Sequence, residues 1–258
     1  LFDPSCFDSP KPFPSHLSPL PSHLSPFLSH LGSPLSPPVP SHLFHLSLPS
    51  PPQATGISVP ALRSFRAELG PLSEGLTVAE AITGVMMPLT HTPRTSLARA
   101  LNRRSACDES GAPLTAPATV YMVYSDKIML DELLDAVEAH AAQQESIADV
   151  YAHIPFFCNN YHRAAELPMI WHASTFKTGL KAIGNTCLLL NPWQEPAAIK
   201  RSWCLFELQL SLNVGCKLSF ILDEAGEKSL DEALLADMES VLKKMEVSLI
   251  PSPTPSPP

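Results

Sequence analysis

The chain has 258 residues, with 25 acidic and 17 basic side chains and a formal net charge of −8. This acidic balance argues against a nucleic-acid-binding surface, and no run of basic residues is longer than two. No apolar run approaches the roughly 20 residues that a membrane-spanning helix needs. We therefore expect a cytoplasmic protein with neither nucleic-acid nor membrane partners.

The six cysteines are scattered along the chain, and no C-x-x-C pair is present. Several of them lie inside apolar runs, where cysteine behaves as a small hydrophobic residue. Scattered cysteines of this kind are typical of reduced thiols in a cytosolic protein. We predict no bound zinc or other metal.

Both ends of the chain have a composition that cannot form a packed core. The first 60 residues hold 15 of the 29 prolines and only three charged side chains, and the last eight residues are PSPTPSPP. Proline fixes φ and removes a backbone donor, so regular elements are disfavoured. We predict a disordered, low-complexity Pro/Ser/His segment over residues 1–55 and a disordered tail over 251–258.

Residues 56–115 are predicted to form a helical N-terminal extension. Thr77 and Glu80 have the spacing of a capping box, and the helix that they open is expected to stop at Pro88. A second short helix is predicted from Ser96 to Arg104, with basic residues at its C-terminal end. This extension should pack on the main domain.

From residue 116 to 250 the pattern alternates between strands and helices. Helices are predicted after a cap at Ser125 or Asp126, over 175–183 with Gly184 as the C-cap, from about 203 to Gly215, and after a capping box at Ser229. The predicted strands are 118–124, 149–157 with a break near Pro155, 186–190, 217–222 and, as a short fifth strand, 247–250. Such repeated units form parallel sheets covered on both faces. The predicted fold is a flavodoxin-like three-layer α/β domain with a mostly parallel sheet of four or five strands.

Ligands of open α/β sheets bind outside the carboxyl ends of the strands. The loops that follow the first three strands, residues 125–127, 158–173 and 191–201, are therefore where chemistry is expected. No glycine-rich loop follows the first strand, which argues against a Rossmann or P-loop nucleotide site.

Glu207 is the most informative residue, because it places a carboxylate in an otherwise apolar helix. Apolar side chains surround it on every helical face, so the helix is predicted to be buried all round, including Trp203, Leu205 and Phe206. Burying an ionised carboxylate is costly and tends to raise its pKa, which makes Glu207 a candidate for a functional site. An ion pair with Lys200 or Arg201, or an edge position facing water, is the structural alternative.

The segment Arg201–Leu208, RSWCLFEL, resembles the W-C-L-x-E-L segment of TIR (Toll/interleukin-1 receptor) domains. The match extends to a divergent TIR-like family found in large multidomain proteins of unicellular algae and related eukaryotes. Further residues support it: ATVYMVYS over 118–125, NNYH over 159–162, Ile183-Gly184 and Pro192-Trp193. The similarity covers roughly residues 77–222.

This resemblance implies a signalling domain that cleaves the nicotinamide–ribose bond of NAD, with Glu207 as the catalytic carboxylate. It also implies NAD as a substrate rather than a cofactor, and self-association as the mode of assembly. Ser125, Trp193 and Trp203 are the predicted substrate-binding residues, with core packing as the alternative for the two tryptophans. Cys204 is interpreted as a core residue rather than a nucleophile.

Three positions depart from the pattern of the family. Asp126-Lys127-Ile128 stands where a tryptophan is expected, and Pro155 replaces an aspartate in the second strand. The family's Asn-Gln-His is Asn160-Tyr161-His162 in this chain. These departures favour the alternative function, a non-enzymatic self-association or adaptor module.

Overall fold

The computed structural model describes residues 54–163, 166 and 169–249, with the backbone alone at 169–173, 242 and 244–249. The predicted disordered ends lie outside these residues, except for residues 54 and 55. Thr55 already belongs to the first strand, so the ordered part begins slightly earlier than predicted. Within the described residues, no helix is both long and apolar enough to cross a membrane.

The protein is an α/β domain built on one six-stranded sheet with the order β2-β1-β4-β3-β5-β6. The strands are β1 (Thr55–Ser58), β2 (Thr115–Pro117), β3 (Val120–Val123), β4 (Tyr151–His153), β5 (Asn185–Leu189) and β6 (Lys217–Ile221). Strands β4, β3, β5 and β6 are parallel, whereas β1 pairs antiparallel with both β2 and β4. The first parallel strand thus lies between the second and the third, as in flavodoxin-like folds.

Nine α-helical segments are found in the described residues, and the bounds of each follow. They are α1 (Val59–Leu69), α2 (Val78–Ala81), α3 (Met87–Leu89), α4 (Leu97–Arg103), α5 (Leu130–Ala142), α6 (Pro155–Cys158), α7 (Met169–Ile183), α8 (Ser202–Asn213) and α9 (Glu224–Leu249). A π-helical turn, Ile82–Met86, joins α2 to α3. Short 3₁₀ turns occupy Gly70–Ser73, Ile147–Asp149 and Ala198–Lys200.

Strand β3 shows the three-layer arrangement directly, because its side chains alternate between two hydrophobic clusters. Val120 and Met122 belong to a cluster with residues of α1 and α5, including Phe65. Tyr121 and Val123 belong to a second cluster, which contains residues of α7, α8 and α9. A strand buried on both faces is typical of a parallel sheet with helices on each side.

The N-terminal segment is part of this domain rather than an appendage to it. It is largely helical, as predicted, but it also contributes β1 and β2 to the sheet. Gly56 allows β1 to approach β4, since a Cβ at this position would lie 2.5 Å from the Tyr151 carbonyl oxygen. Phe65 of α1 packs edge-on against Phe156 and Phe157 of α6, with ring centroids 6.0 and 4.9 Å apart.

Several predicted caps agree with the structure. Thr77 and Glu80 form the capping box, Ser96 caps α4, and Gly184 ends α7 with a positive φ of 75°. The helical segment that begins at α2 ends at Leu89, one residue beyond the predicted stop at Pro88.

Other boundaries were predicted incorrectly. Helix α5 begins at Leu130, after Met129, and not after Ser125 or Asp126. Ser229 lies inside α9, whose N-terminus is capped by Asp223, because its Oδ1 accepts from the Gly226 amide at 2.6 Å. These errors move helix starts but leave the order of the elements unchanged.

The predicted fifth strand at 247–250 is wrong, since residues as far as Leu249 continue α9. No glycine or proline separates them from the preceding helical turns, and the helix therefore propagates. The second predicted strand is shorter than expected, because Pro155 occupies the first position of α6. Proline is well tolerated there, where its missing amide hydrogen is not needed.

Candidate active site around Glu207

Helix α8 presents a polar face to the sheet, contrary to the prediction that it is buried all round. Its buried residues are Cys204, Glu207 and Ser211, which are spaced three and four residues apart and so share one face. Leu205 and Leu212 are 37% and 58% exposed. The burial predicted for Leu205 is therefore wrong, while Trp203 and Phe206 are half-buried.

Each of these three buried residues makes a side-chain hydrogen bond at the interface between α8 and the sheet. We call this set of hydrogen bonds the polar seam. The Cys204 thiol donates to the Tyr124 carbonyl oxygen (3.2 Å), and the Tyr121 hydroxyl donates to Glu207 Oε1 (2.7 Å). The Thr186 hydroxyl donates to Ser211 Oγ at 2.9 Å, and Ser211 in turn donates to the Glu207 carbonyl oxygen at 2.8 Å. Hydrogen bonding satisfies these polar groups within a dry interface.

Burial raises the pKa of Glu207 to about 7, against an ordinary value of 4.5. Hydrogen bonds from Tyr121 and Trp203, and the charge of Arg201, act in the opposite direction. Desolvation has the largest effect because Glu207 is only 3% exposed. A carboxyl group with this pKa exchanges its proton near neutral pH, as acid–base and electrostatic catalysts do.

The structural alternative for Glu207 was an ion pair with Lys200 or Arg201, but both cations form ion pairs with other residues. Arg201 Nη1 lies 2.8 Å from Asp126 Oδ1, and Lys200 pairs with Glu195. Both cations predicted as partners of Glu207 thus bind other carboxylates. Glu207 is held by the neutral donors Tyr121 and Trp203 instead, and the charge of Arg201 acts on it only as the weakest of the effects that lower its pKa.

Aromatic and imidazole rings surround the Tyr121–Glu207 pair. His153 stacks on Tyr121, with centroids 5.2 Å apart and an interplanar angle of 17°. Phe176 of α7 makes edge contacts with both Tyr121 (6.0 Å) and Trp203 (5.2 Å). The carboxyl group therefore lies beside an aromatic cluster contributed by β3, β4, α7 and α8.

His153 is half-buried and neutral at physiological pH. Its Nδ1 donates to the Thr55 carbonyl oxygen at 2.8 Å, which assigns the hydrogen because a carbonyl can only accept. Burial lowers the pKa of His153 to about 4. The imidazole consequently adds no positive charge that would compensate Glu207 at neutral pH.

The three predicted substrate-binding residues occupy different surroundings. Trp203 lies one helical turn before Glu207 and hydrogen-bonds to it. Ser125 follows β3 and is buried. Its Oγ accepts a hydrogen bond from the Lys127 amide at 3.2 Å. Trp193 is buried in the second hydrophobic cluster, and its indole N–H donates to Ser229 Oγ at 3.3 Å. The structure thus places Trp203 directly beside Glu207, while Trp193 packs with α9.

Two cavities lie beyond the carboxyl ends of β5 and β6, the edge where ligands of such sheets bind. Their volumes are about 290 and 550 Å³, and Glu132, Asn191 and Asp223 line both of them. The Asn191 side-chain amide donates to Glu132 at 3.0 Å and to Asp223 at 2.6 Å. The predicted loop 191–201 contributes Asn191 to both linings, but the predicted site residues Glu207, Ser125, Trp193 and Trp203 line neither cavity.

Sequence reasoning missed Tyr121, His153 and Thr186 as members of this site. A tyrosine inside an apolar strand carried a usable signal, because a buried phenol hydroxyl normally has a hydrogen-bond partner. The histidine in the second strand gave a weaker signal of the same kind. Nothing in the sequence indicated that Thr186 would meet Ser211, 25 residues further along the chain.

The cysteines and the acidic side chains do not assemble into a metal site in the part of the chain that the structure describes. No group of three or more histidine, cysteine, aspartate or glutamate residues is placed to hold a metal ion there. Burial, followed by the charge of Glu207, raises the pKa of Cys204 to about 12. Its thiol is therefore neutral at physiological pH, unlike that of a nucleophilic cysteine.

The chain matches no protein-family model, no curated protein and no solved structure. The closest guides to its function are thus the buried Glu207 and the motif in which it occurs. Both belong to helix α8 and its contacts with the sheet.

Proposed function

We propose that this chain is a TIR-like signalling domain that hydrolyses NAD at the nicotinamide–ribose bond through Glu207. The observation that carries the proposal is the buried Glu207 carboxyl group, hydrogen-bonded to Tyr121 and Trp203 beside an aromatic cluster. The motif RSWCLFEL begins at the N-cap of α8, which packs against a mostly parallel sheet, and this arrangement supports the resemblance to TIR domains.

The proposed reaction suits a single carboxylate. The bond between the nicotinamide nitrogen and ribose C1′ breaks, and its electron pair neutralises the positively charged ring, which leaves as nicotinamide. The ribose becomes an oxocarbenium-like cation that water captures at C1′, with release of one proton. Glu207 stabilises the developing positive charge, in the way that carboxylates do in glycoside hydrolysis.

The neighbours of Glu207 fit this role. A pKa of about 7 leaves a large fraction of the carboxyl group ionised at neutral pH, and an approaching cationic ring would favour the ionised form further. Tyr121 fixes the orientation of the carboxyl group through its 2.7 Å hydrogen bond. Phe176 and Trp203 supply flat apolar surfaces against which a nicotinamide ring can stack.

Substrate entry requires a rearrangement, because Glu207 is only 3% exposed. Trp203, which is half-buried and hydrogen-bonds to Glu207, is the side chain whose movement we propose for this rearrangement. Lids and side-chain gates of this kind are common where an active site excludes water.

Replacing Glu207 by glutamine tests the proposal, since glutamine is uncharged but close in shape. Loss of one such stabilising group typically lowers the rate by about 10²–10³-fold. The full chain at high concentration is incubated with NAD at pH 8, and nicotinamide release is followed by chromatography. We expect Glu207→Gln to be nearly inactive, while Glu195→Gln, the same substitution at an exposed residue, retains the wild-type rate.

A second function, a non-enzymatic self-association or adaptor module, is favoured by a different observation. Several large apolar side chains are strongly exposed: Leu212 (58%), Phe220 (58%), Leu235 (89%) and Met238 (61%). Exposed apolar side chains are found at association surfaces. Light scattering on the same samples separates the two functions. An inactive wild type and an inactive Glu207→Gln that both self-associate would establish the adaptor, and full activity of Glu207→Gln would make Glu207 structural.

A further inference from the structure

A second feature of the molecule, remote in sequence from Glu207, is a concentration of positive charge around α4. We define the arginine cluster as the side chains of Arg94, Arg99, Arg103 and Arg163 together with His91 and His162. Arg99 and Arg103 lie on α4, one helical turn apart. The remaining members belong to the segment that precedes α4 and to the loop that follows α6.

Packing of α4 forces its arginines outward. The buried face of this helix consists of Leu97, Ala98, Ala100 and Leu101. Arg99 and Arg103 occupy the opposite, exposed face, and their spacing of four residues places both guanidinium groups on the same side.

Specific contacts hold the two neighbouring segments against each other. The Asn160 side-chain amide donates to the Arg94 carbonyl oxygen at 3.1 Å, and Arg94 itself adopts a positive φ of 42°. His162 Nε2 lies 2.9 Å from Thr90 Oγ1, whose hydroxyl donates to the Met86 carbonyl oxygen. Nε2 is therefore the donor to Thr90, and the imidazole has a defined position in the cluster.

The cations lie close enough to repel one another. Partial burial, and then the charges of Arg103 and Arg163, lower the pKa of Arg99. Burial, and then the charges of Arg94 and His91, lower the pKa of His162. The His91 and His162 rings have centroids only 6.3 Å apart.

Among the residues that the structure describes, few acidic groups pair with the arginine cluster. Within residues 54–163, 166 and 169–249, Arg163 pairs with Glu166 at 2.8 Å, and no ion pair is found for Arg94, Arg99 or Arg103. This is unexpected in a chain of net charge −8, where acids outnumber bases. Like charges gathered without counter-charges destabilise a fold unless an anion binds them.

We infer that the arginine cluster binds a phosphate-bearing anion of the pyrophosphate class. Guanidinium groups match phosphate oxygens in pairs of parallel hydrogen bonds, and two arginines one turn apart can engage two linked phosphates. The imidazole of His162, whose Nε2 donates to Thr90, borders the site. The site involves neither Glu207 nor its neighbours, so it is independent of the proposed NAD hydrolysis.

Binding of inorganic pyrophosphate to the full chain, measured by isothermal titration calorimetry, tests this site. The double variant Arg99→Gln/Arg103→Gln removes two exposed charges and leaves the buried face of α4 unchanged. We expect its affinity for pyrophosphate to fall by at least about tenfold, because two charge-assisted contacts are lost. Lys177→Gln/Lys181→Gln is the matched control, since it removes two exposed cations four residues apart on α7.

Further arms identify the source of the phosphate and exclude a general effect of charge. Phosphatidylcholine vesicles with and without a phosphorylated inositol lipid distinguish a lipid headgroup from a free anion. Binding of the wild type to pyrophosphate or to the phosphorylated lipid supports the site if only the arginine variant loses it. Equal weakening in both double variants overturns it, as does the absence of saturable binding by wild type to every probe. Loss of pyrophosphate binding in Glu207→Gln alone would also overturn it, because the anion would then bind elsewhere.

Discussion

Helices α5 and α8 pack against the same sheet from opposite sides and do so in opposite ways. On α5 the buried residues are apolar, namely Leu130, Leu133, Leu134, Ala136, Val137 and Ala141. On α8 the buried residues are Cys204, Glu207 and Ser211, while Leu205 and Leu212 face outward. Helix α5 is packed by hydrophobic burial, whereas α8 adds side-chain hydrogen bonds to the packing of the partly buried Leu208 and Leu210.

This difference distinguishes the packing that stabilises the fold, on α5, from the polar contacts that form the candidate site, on α8. The apolar face of α5 removes a large hydrocarbon surface from water, which is the main stabilising term in folding. The polar seam of α8 contributes less, because each hydrogen bond replaces one made to water. A helix that exposes leucine and buries glutamate is not optimised for stability, and such sites are often functional.

The largest expected effect compares a leucine of each helix. Leu134→Ala on α5 should lower the free energy of unfolding by about 2–5 kcal/mol, because the side chain is fully buried. Leu212→Ala on α8 should change it by less than about 0.5 kcal/mol, since this residue is 58% exposed. Urea denaturation followed by circular dichroism measures both. Similar losses for the two variants would show that α8 buries its outer face in an assembly.

The next effect concerns pH and Glu207. Its folded pKa is raised from 4.5 to about 7, so its contribution to stability is fully present below pH 4.5 and is lost as pH rises through 7. The difference of roughly 2.5 pKa units corresponds to about 3 kcal/mol. We expect wild type to lose about this much stability relative to Glu207→Gln between pH 4.5 and pH 8. Parallel stability curves for the two proteins would show that Glu207 titrates normally.

The smallest effect concerns the hydrogen bond between Thr186 and Ser211. Ser211→Ala should cost about 1–2 kcal/mol, because the buried Thr186 hydroxyl loses its acceptor. Thr186→Val removes the other partner, and the double variant should cost less than the sum of the two. A thermodynamic cycle built from urea denaturation gives the coupling, which we expect to be about 1 kcal/mol. Additive costs would mean that the two side chains do not interact in solution.

Much of the fold could be predicted from local patterns. The strand at Val120–Val123 and the helix at Leu130–Ala142 were recognisable from apolar runs and helical spacing, and both are present. The capping box at Thr77 was equally recognisable from the sequence, because its two hydrogen bonds join residues only three positions apart. The antiparallel strand β1 was not predicted, since its four residues gain their structure from pairing with β2 and β4.

The candidate site was predictable only in part. Glu207 was identified because a charged residue among apolar neighbours can be recognised from the sequence alone. Tyr121 was not identified, because it lies 86 residues away in sequence. Its hydroxyl group nevertheless donates directly to the Glu207 carboxylate at 2.7 Å. Pairing over such a distance depends on how α8 is rotated against the sheet, which helical spacing does not specify when every face carries apolar residues.

The sequence by itself determined the α/β class, the order of most elements and the candidate carboxylate. Those properties follow from interactions between residues close in the chain, namely apolar periodicity, capping and turn formation. Only the tertiary structure decided that α8 buries Cys204, Glu207 and Ser211 rather than its leucines. The physical reason is that Tyr121 and Thr186 on the sheet offer hydrogen bonds at the positions where those polar side chains lie, and a helix that is apolar on all sides has no single preferred face of its own.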